Sequence, residues 1–151
     1  MRGVEQLRTL LHCLSRNLWV LEKGELVYYV GAVAVVYNRM DERQRHYRGH
    51  TEDISCMDLH PLGDTVVSGQ GAGQGAEQGP QVHVWNVHSM DTLQVGGHGM
   101  SRWHLHLTPA QVLGLGSLQG GVAGVGFSAL NKGAYVVAVD SSKDKVLHAV
   151  Y

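Results

Sequence analysis

Residues 46–61 read HYRGHTEDISCMDLHP, and two dipeptides frame the central part of this stretch. A Gly-His pair at 49–50 stands about eleven residues before a His-Pro pair at 60–61. The residues between the pairs, ISCMDL, are mostly apolar at strand-like spacing. Two similar stretches follow, TVVSG at 65–69 and, after a glycine-rich turn, QVHVWN at 81–86. This order predicts three consecutive short strands joined by turns.

The same order is typical of a WD-repeat blade: Gly-His, a strand, a second strand with serine, and a third strand ending in tryptophan and a small polar residue. Buried polar atoms need hydrogen-bonding partners, so His50, Ser68 and Trp85 are predicted to form a structural relay. The usual relay also has an aspartate in the turn before the third strand. No aspartate lies between Gly69 and Trp85, so an incomplete relay is predicted.

The composition limits the class of protein. The 151 residues suffice for one ordinary domain, and the formal net charge of −1 gives no field that favours nucleic acid or a membrane surface. The two cysteines, Cys13 and Cys56, provide no disulfide framework, which favours a reducing intracellular compartment. Residues 1–15 are interrupted by polar side chains and carry no signal peptide, but their apolar residues have the spacing of a lead-in helix.

The region before the Gly-His pair is also predicted to be strands. Residues 17–21 indicate a strand and residues 22–25 a hairpin turn. The apolar run 26–37 is too short for a bilayer-spanning helix, which needs about 20 residues. Its β-branched and aromatic residues favour strands, with a bend at Gly31-Ala32. The charged residues 38–45 predict a turn.

Several of these stretches together resemble the echinoderm microtubule-associated protein-like (EML) family. NLWVL at 17–21, GELVYY at 24–29 and AVAVVYN at 32–38 resemble its HELP motif, which continues through QRHYRGH at 44–50 into the first WD blade. The resemblance resumes at LGLG (113–116), GV (121–122), FS (127–128) and VDSS (139–142). It implies an all-β partial β-propeller, made of HELP-motif strands and about two WD-repeat blades. The domains would be a lead-in segment at 1–15, the HELP motif at 16–47, a blade at 48–95 and an incomplete second blade at 113–151.

Two departures from the family pattern carry predictions of their own. The family runs from a strand like 91–95 almost directly into a stretch like 113–116, so residues 96–112 are predicted to be an inserted loop that the fold can lose. The family also continues past a stretch like 145–147 to a Trp-Asp ending that is not found before Tyr151. The chain is therefore expected to be a fragment or a truncated isoform.

Candidate chemical sites have simpler structural explanations. The glycine-rich residues 69–79 lead into a strand rather than a helix, so a flexible turn is favoured over a nucleotide loop. Three histidines in the predicted insertion lack a nearby cysteine or carboxylate, which argues against a metal site. Asp53, His60 and Ser68 could be drawn as a triad, but nothing positions an oxyanion hole. We therefore expect no catalytic residues, no cofactor and no metal. The three histidines are His98, His104 and His106.

A basic cluster is the candidate partner contact. Its arginines alternate with Asp41 and Glu42, so a solvated turn is the default interpretation. The alternative is an electrostatic contact with an acidic surface such as that of tubulin. The cluster consists of Arg39, Arg43, Arg45 and Arg48.

The resemblance also implies a function. EML proteins are noncatalytic, cytoplasmic scaffolds of the cytoskeleton whose partners are tubulin, microtubules and other proteins. Binding to the microtubule lattice depends in the family on a coiled coil with a basic region, and no heptad array is present here. Weak tubulin binding through the propeller region is therefore expected, without nucleic acid or membrane partners. The alternative is a general protein-binding WD module without a preference for tubulin.

Overall fold

The computed structural model describes residues 17–73, 79–97, 111–112, 118, 120–129, 131–142 and 145–150. Every regular element within these ranges is a β-strand, and the strands form three sheets that follow one another along the chain. The all-β prediction is confirmed. The predicted lead-in helix and the three histidines of the insertion lie outside the described residues. No helix that could cross a bilayer occurs in the described part of the chain.

The first sheet contains β1 (Leu18–Val20), β2 (Leu26–Val30), β3 (Val33–Asn38) and β4 (Arg43–Tyr47), in that order. The apolar run 26–37 forms a tight hairpin, because the chain reverses at Gly31-Ala32 and Val30 pairs with Val33. Gly31 has a φ of 55°, a conformation that glycine adopts without strain.

The prediction of a turn over residues 38–45 is wrong at both ends. Asn38 ends β3, and residues 43–47 form β4, which pairs with β3 from Ala34↔Tyr47 to Asn38↔Arg43. The charged composition suggested a turn, but a strand can also be rich in charged residues, because only alternate residues need to face the core. Tyr47 is buried in that core, and its neighbour His46 is exposed.

The second sheet contains the strands that follow the Gly-His pair. They are β5 (Ile54–Leu59), β6 (Thr65–Gln70), β7 (Gln81–Asn86), β8 (Thr92–Gly97) and β9 (Gln111–Val112). The first four strands form an antiparallel meander, and β9 pairs parallel to β8. The three strands predicted from the opening stretch are thereby confirmed.

The predicted inserted loop 96–112 is wrong at its two ends. Gly96 and Gly97 belong to β8 and pair with Val82 and Gln81. At the other end, Gln111 pairs with Gln94 and the next residue with Val95. Without β9, β8 would present a longer row of unpaired backbone groups at the edge of the sheet, and pairing satisfies part of that edge.

The part of the insertion outside β8 is expected to be dispensable. Deletion of residues 98–112 should change the free energy of unfolding by less than about 1 kcal/mol, because it removes only the two-residue edge strand β9 and loop-closure cost changes by only about 0.6 kcal/mol per doubling of length. Deletion of residues 96–112 should cost more, since it also removes two paired residues of β8. Urea unfolding of the two deletion variants tests the difference. Loss of folding on deletion of 98–112 would place this segment in the core.

The third sheet contains β10 (Val122–Phe127), β11 (Tyr135–Asp140) and β12 (Lys145–Val150), in that order. The strands predicted at 122–127, 135–139 and 146–150 are confirmed within one residue. The domain boundaries drawn around them stay a prediction.

Two apolar cores lie between the sheets, because the strands of the second sheet alternate between its faces. Val66 and Trp85 face the first sheet, whereas Val67 and Val84 face the third. A glycine is needed at 69, since a Cβ there would approach Cβ of Val122 to 2.8 Å. The second sheet is therefore a layer packed on both faces.

Polar contacts also join the second and third sheets. The carboxylate of Asp58 on β5 accepts a hydrogen bond from the backbone N–H of Phe127 on β10, at 2.9 Å. The hydroxyl of Ser55 donates to the carbonyl of Val122. These bonds fix the innermost strand of one sheet against that of the next.

Candidate functional site

The predicted relay residues are brought together on the face of the second sheet that packs against the first. The oxygen of Ser68 on β6 lies 2.6 Å from Nε2 of His50 and accepts a hydrogen bond from Nε1 of Trp85 at 3.0 Å. All three side chains are buried, and Ser68 and Trp85 have no exposed surface. The hydroxyl therefore lies inside a core, without access to a substrate.

The prediction that the relay is incomplete is wrong, because Gln70 takes the fourth position. Its Oε1 lies 2.9 Å from Nδ1 of His50 and also accepts from the backbone N–H of Thr51 at 3.3 Å. Its Nε2 donates to the hydroxyl of Thr51 and to the carbonyl of Gly79, each at 3.2 Å. The neutral amide of Gln70 thus takes the hydrogen-bonding role that was expected of an aspartate.

These contacts determine the tautomer of His50. Because Oε1 of Gln70 can only accept, Nδ1 of the imidazole must carry the proton that it donates. Nε2 then accepts from the hydroxyl of Ser68, whose oxygen accepts from the indole of Trp85. The relay is satisfied throughout only when the imidazole is neutral.

Burial keeps the imidazole of His50 neutral. Desolvation lowers its pKa from 6.5 to about 4, and the hydrogen bond with Gln70 opposes this shift. The pKa of His83 is lowered well below its usual value by burial and by the adjacent charge of protonated His50. The two rings are stacked, with centroids 4.1 Å apart.

Acid is expected to destabilise the fold. The unfolded chain binds a proton at His50 below pH 6.5, whereas the folded chain binds it only near pH 4. Stability from the neutral ring is therefore present above pH 6.5 and is lost as the pH falls toward 4, by about 2–3 kcal/mol for His50 alone. Urea unfolding at pH 7.5 and 4.5 measures the loss. The His46→Gln variant, which lacks an exposed ring, should show the same loss.

An NMR titration of the His50 ring checks the cause of this pH dependence. The ring should titrate near pH 4 in the folded chain. Titration near pH 6.5 would contradict a buried, neutral imidazole.

A second buried network connects the relay to the first sheet. The hydroxyl of Tyr47 on β4 lies 2.7 Å from Nδ1 of His83 and 2.8 Å from the hydroxyl of Thr92. The Tyr47 ring stacks on Trp85 with centroids 4.6 Å apart and an interplanar angle of 5°. Burial raises the pKa of Tyr47 to about 12, although the bond with Thr92 lowers it. Tyr47 thus joins the two sheets through both stacking and hydrogen bonds.

Steric crowding explains why a glycine stands first in the Gly-His pair. A Cβ on Gly49 would collide with the hydroxyl of Tyr47 and would approach Nδ1 of His83 to 3.0 Å. Any side chain here would separate the atoms of the second network.

The predicted basic cluster is not one surface. Arg45 makes two hydrogen bonds to the buried carboxylate of Glu25, at 3.0 and 3.1 Å, and a third to the carbonyl of Val87 at 3.3 Å. It therefore ties the first sheet to the second. Arg43 is the first residue of β4 and Arg48 directly follows its last residue; both are exposed, about 16 Å apart at 3.3 Å per residue.

The hairpin between β3 and β4 carries the remaining exposed basic residues. Arg39 and Arg43 flank Met40, whose side chain is 90% exposed. Asn38 orders the turn, because its Oδ1 accepts from the backbone N–H of Met40 at 2.9 Å and of Asp41 at 3.3 Å. The hairpin thus presents an apolar side chain and two cations, together with the exposed carboxylates of Asp41 and Glu42, on a defined backbone.

Residues considered for a catalytic triad make contacts that stabilise the fold. Ser68 is engaged by His50 and Trp85, and Nδ1 of His60 accepts from the backbone of Leu62 at 3.2 Å. The hydroxyl of Ser68 is therefore bonded within the relay and not to the His60 ring of the drawn triad. Within the described residues, no group of three His, Cys, Asp or Glu side chains could hold a metal ion.

Comparison with characterised proteins decides the family. Over 134 residues the chain is 40% identical to human echinoderm microtubule-associated protein-like 2, and over 132 residues it is 37% identical to the 77 kDa echinoderm microtubule-associated protein of Strongylocentrotus purpuratus. Both matches cover 87% of the chain. The chain belongs to the EML family. Rat echinoderm microtubule-associated protein-like 1, at 35% identity, supports the same assignment. A scan against models of protein families found no match.

The match covers only part of each EML relative. The chain spans 18% of the human protein and 17% of the sea urchin protein.

A solved structure identifies the arrangement of the three sheets. The β-propeller domain of Cps50 (Swd1) from Myceliophteria thermophila superposes with a TM-score of 0.53, covering 88% of this chain and 37% of that one. At 14% sequence identity the likeness shows the fold alone. The prediction of a partial β-propeller is confirmed, and the three sheets are consecutive blades of this EML-family chain.

Proposed function

We propose that the chain is a noncatalytic scaffold that associates with tubulin through an exposed surface of its blades. The observation that carries the proposal is membership of the EML family, whose relatives are named for association with microtubules. A cytoplasmic, cytoskeletal location follows from that association.

The use of polar residues supports a noncatalytic role. His50, Ser68 and His83, which have catalytic chemistry in other settings, are buried and hydrogen-bonded in the core between the first two blades. Their partners stabilise the fold, and the neutral state of the imidazoles suits a core rather than proton transfer with a bound substrate.

The hairpin between β3 and β4 is the proposed contact. Guanidinium groups bind carboxylates with two parallel hydrogen bonds, so Arg39 and Arg43 suit an acidic partner such as tubulin. Met40 between them can adapt to an apolar partner surface. Because Asn38 already orders the turn, less conformational entropy is lost on binding.

The experiment compares two charge reversals in a pull-down with soluble tubulin. The Arg39→Glu/Arg43→Glu variant should bind at least about tenfold more weakly, equivalent to about 1.4 kcal/mol. The Arg48→Glu variant is the matched control, because Arg48 lies beyond the opposite end of β4. Binding by the unaltered chain should weaken as salt rises, since exposed charges are screened.

Two outcomes would overturn parts of the proposal. If the unaltered chain does not bind tubulin under conditions in which a full-length relative does, the alternative of a general protein-binding module replaces it. If the hairpin variant binds tubulin as well as the Arg48→Glu control, the contact lies on another surface.

A further inference from the structure

The outer side of β8 is an open edge of the second sheet. Both faces of this sheet are covered by the neighbouring blades, and β5 at the opposite edge is bonded to β10 through Asp58 and Phe127. β8 can therefore pair with a further strand on the side away from β7. Backbone N–H and C=O groups along such an edge are a template for pairing with another segment.

A β-bulge divides this edge into two parts. The pairs Val84↔Gln94 and Trp85↔Thr92 leave Leu93 as an extra residue of β8. Bulges interrupt the ladder and discourage pairing with another strand. The part of β8 that follows the bulge pairs regularly with β7, so this part can accept a strand on its other side.

Residues 94–97, which we call the regular edge, carry a short strand from the same chain. β9 pairs with them in parallel, with Gln111 opposite Gln94 and Val112 opposite Val95. Identical residues therefore stand in register, as in parallel stacks in which amide ladders and apolar contacts between like residues favour association. The regular edge thus accepts an extended segment in which an amide residue precedes a β-branched one.

The lack of charge also distinguishes this edge. Native edge strands commonly carry charged side chains that prevent pairing with other proteins. β4, at an edge of the first sheet, has Arg43 and Arg45, whereas TLQVGG of β8 and AQVLGLGS at 110–117 contain no charged residue. An uncharged segment therefore suits the regular edge, because pairing with it desolvates no charge.

β9 is held weakly enough to be replaced. It consists of two residues, and residues 98–110 connect it to β8, which is about the dozen residues that a parallel connection needs. A longer segment would form ladder bonds along the whole regular edge. Gly96 and Gly97 have no side chains, so bulky residues of such a segment fit beside them.

We propose that the regular edge is a peptide-binding site, where a partner protein adds an uncharged extended strand parallel to β8 and displaces β9. The preferred segment has glutamine or asparagine followed by valine or isoleucine. In strand addition, main-chain hydrogen bonds supply the affinity and alternate side chains the specificity. β9 is then a competitor within the chain that limits access to the site. The site is separate from the hairpin between β3 and β4 and does not depend on binding of tubulin.

Binding of a synthetic peptide tests the site on the full chain. The probe is the fluorescently labelled peptide AQVLGLGS, which has the sequence of residues 110–117. It should bind the Val112→Pro chain about fivefold more tightly than the unaltered chain, because proline removes β9 from the edge and fivefold corresponds to about 1 kcal/mol, the most that β9 contributes. Leu105→Pro, outside β9, is the matched control and should bind the probe like the unaltered chain.

Hydrogen exchange locates the contact. Backbone amides of residues 94–97 should exchange faster in the Val112→Pro chain than in the unaltered chain, and the probe should slow them again. Amides of β4 should not respond, because that edge is charged. The peptide AQPLGLGS, which has no N–H to donate at the valine position, should neither bind nor protect the edge.

Several results would overturn the proposal. One is a Val112→Pro chain that melts as cooperatively as the unaltered chain but does not bind the probe at millimolar peptide concentrations. Equal binding of the probe by the unaltered and Val112→Pro chains would show that β9 does not compete for the site. Equal binding of AQVLGLGS and AQPLGLGS, or protection of β4 instead of residues 94–97, would exclude strand addition at this edge. Loss of the cooperative transition in the Val112→Pro chain would place β9 in the core.

Discussion

Replacement of Trp85 by alanine is expected to abolish cooperative unfolding. The indole has no exposed surface, stacks on Tyr47 and donates to Ser68, so the substitution removes packing from the core between two blades and breaks the relay. Truncation of a buried tryptophan costs about 3–5 kcal/mol. Small domains have only about 5–15 kcal/mol of stability in total, so a loss of this size removes a large part of it.

Thermal unfolding followed by circular dichroism measures this effect. Trp85→Phe is the matched control, because it keeps a ring against Tyr47 and loses the hydrogen bond to Ser68 and only part of the buried indole volume. It should melt cooperatively at a lower temperature than the unaltered chain. An unchanged melting curve for Trp85→Ala would mean that the second blade is not formed as described.

Replacement of Ser68 by alanine is expected to have the second largest effect. One hydroxyl serves both Nε2 of His50 and Nε1 of Trp85, so its removal leaves two buried polar atoms without their partner. Each unsatisfied buried group costs about 1–3 kcal/mol, so the expected loss for the two groups is at least about 2 kcal/mol.

Urea unfolding of Ser68→Ala measures the loss directly. Ser68→Thr keeps the hydroxyl and should lose less stability, whereas Ser89→Ala removes an exposed serine and should be near neutral. Equal stability of Ser68→Ala and Ser89→Ala would show that the relay does not contribute to folding.

The relay shows which parts of a site can be predicted from a single sequence. His50, Ser68 and Trp85 could be found because each stands at a recognisable position in a strand or turn. Gln70 was missed because an amide replaced the expected carboxylate, although residues 68 and 70 share one face of β6. The position of His83 could be predicted in the same way. It lies two residues before Trp85 on β7, so the two side chains share a face and point into the same core.

Charged segments were less predictable than apolar ones. The composition of β4, which contains Arg43 and Arg45, predicts a turn. It does not reveal that backbone pairing with β3 holds these residues in a strand. Position along the strand separates the arginines. Arg45 lies in the middle of β4 and pairs with Glu25, whereas Arg43 begins the strand and Arg48 follows it, and both are exposed.

The insertion illustrates a different limit. Its composition fits no blade pattern, but strand pairing at its ends depends on which edge of a neighbouring strand is open, and a linear pattern does not contain that information. Gly97 and Gln111 are therefore strand residues despite their unremarkable sequence context.

Hydrogen exchange at the indole of Trp85 tests whether a complete buried relay lies in the core between the first two blades. In a chain labelled with ¹⁵N-tryptophan, the three indole protons give separate NMR signals, and Trp85→Phe identifies the relevant one. We predict that this proton exchanges only on global unfolding and becomes rapidly exchanging in Ser68→Ala. Rapid exchange of all three indoles in the unaltered chain would contradict the buried relay.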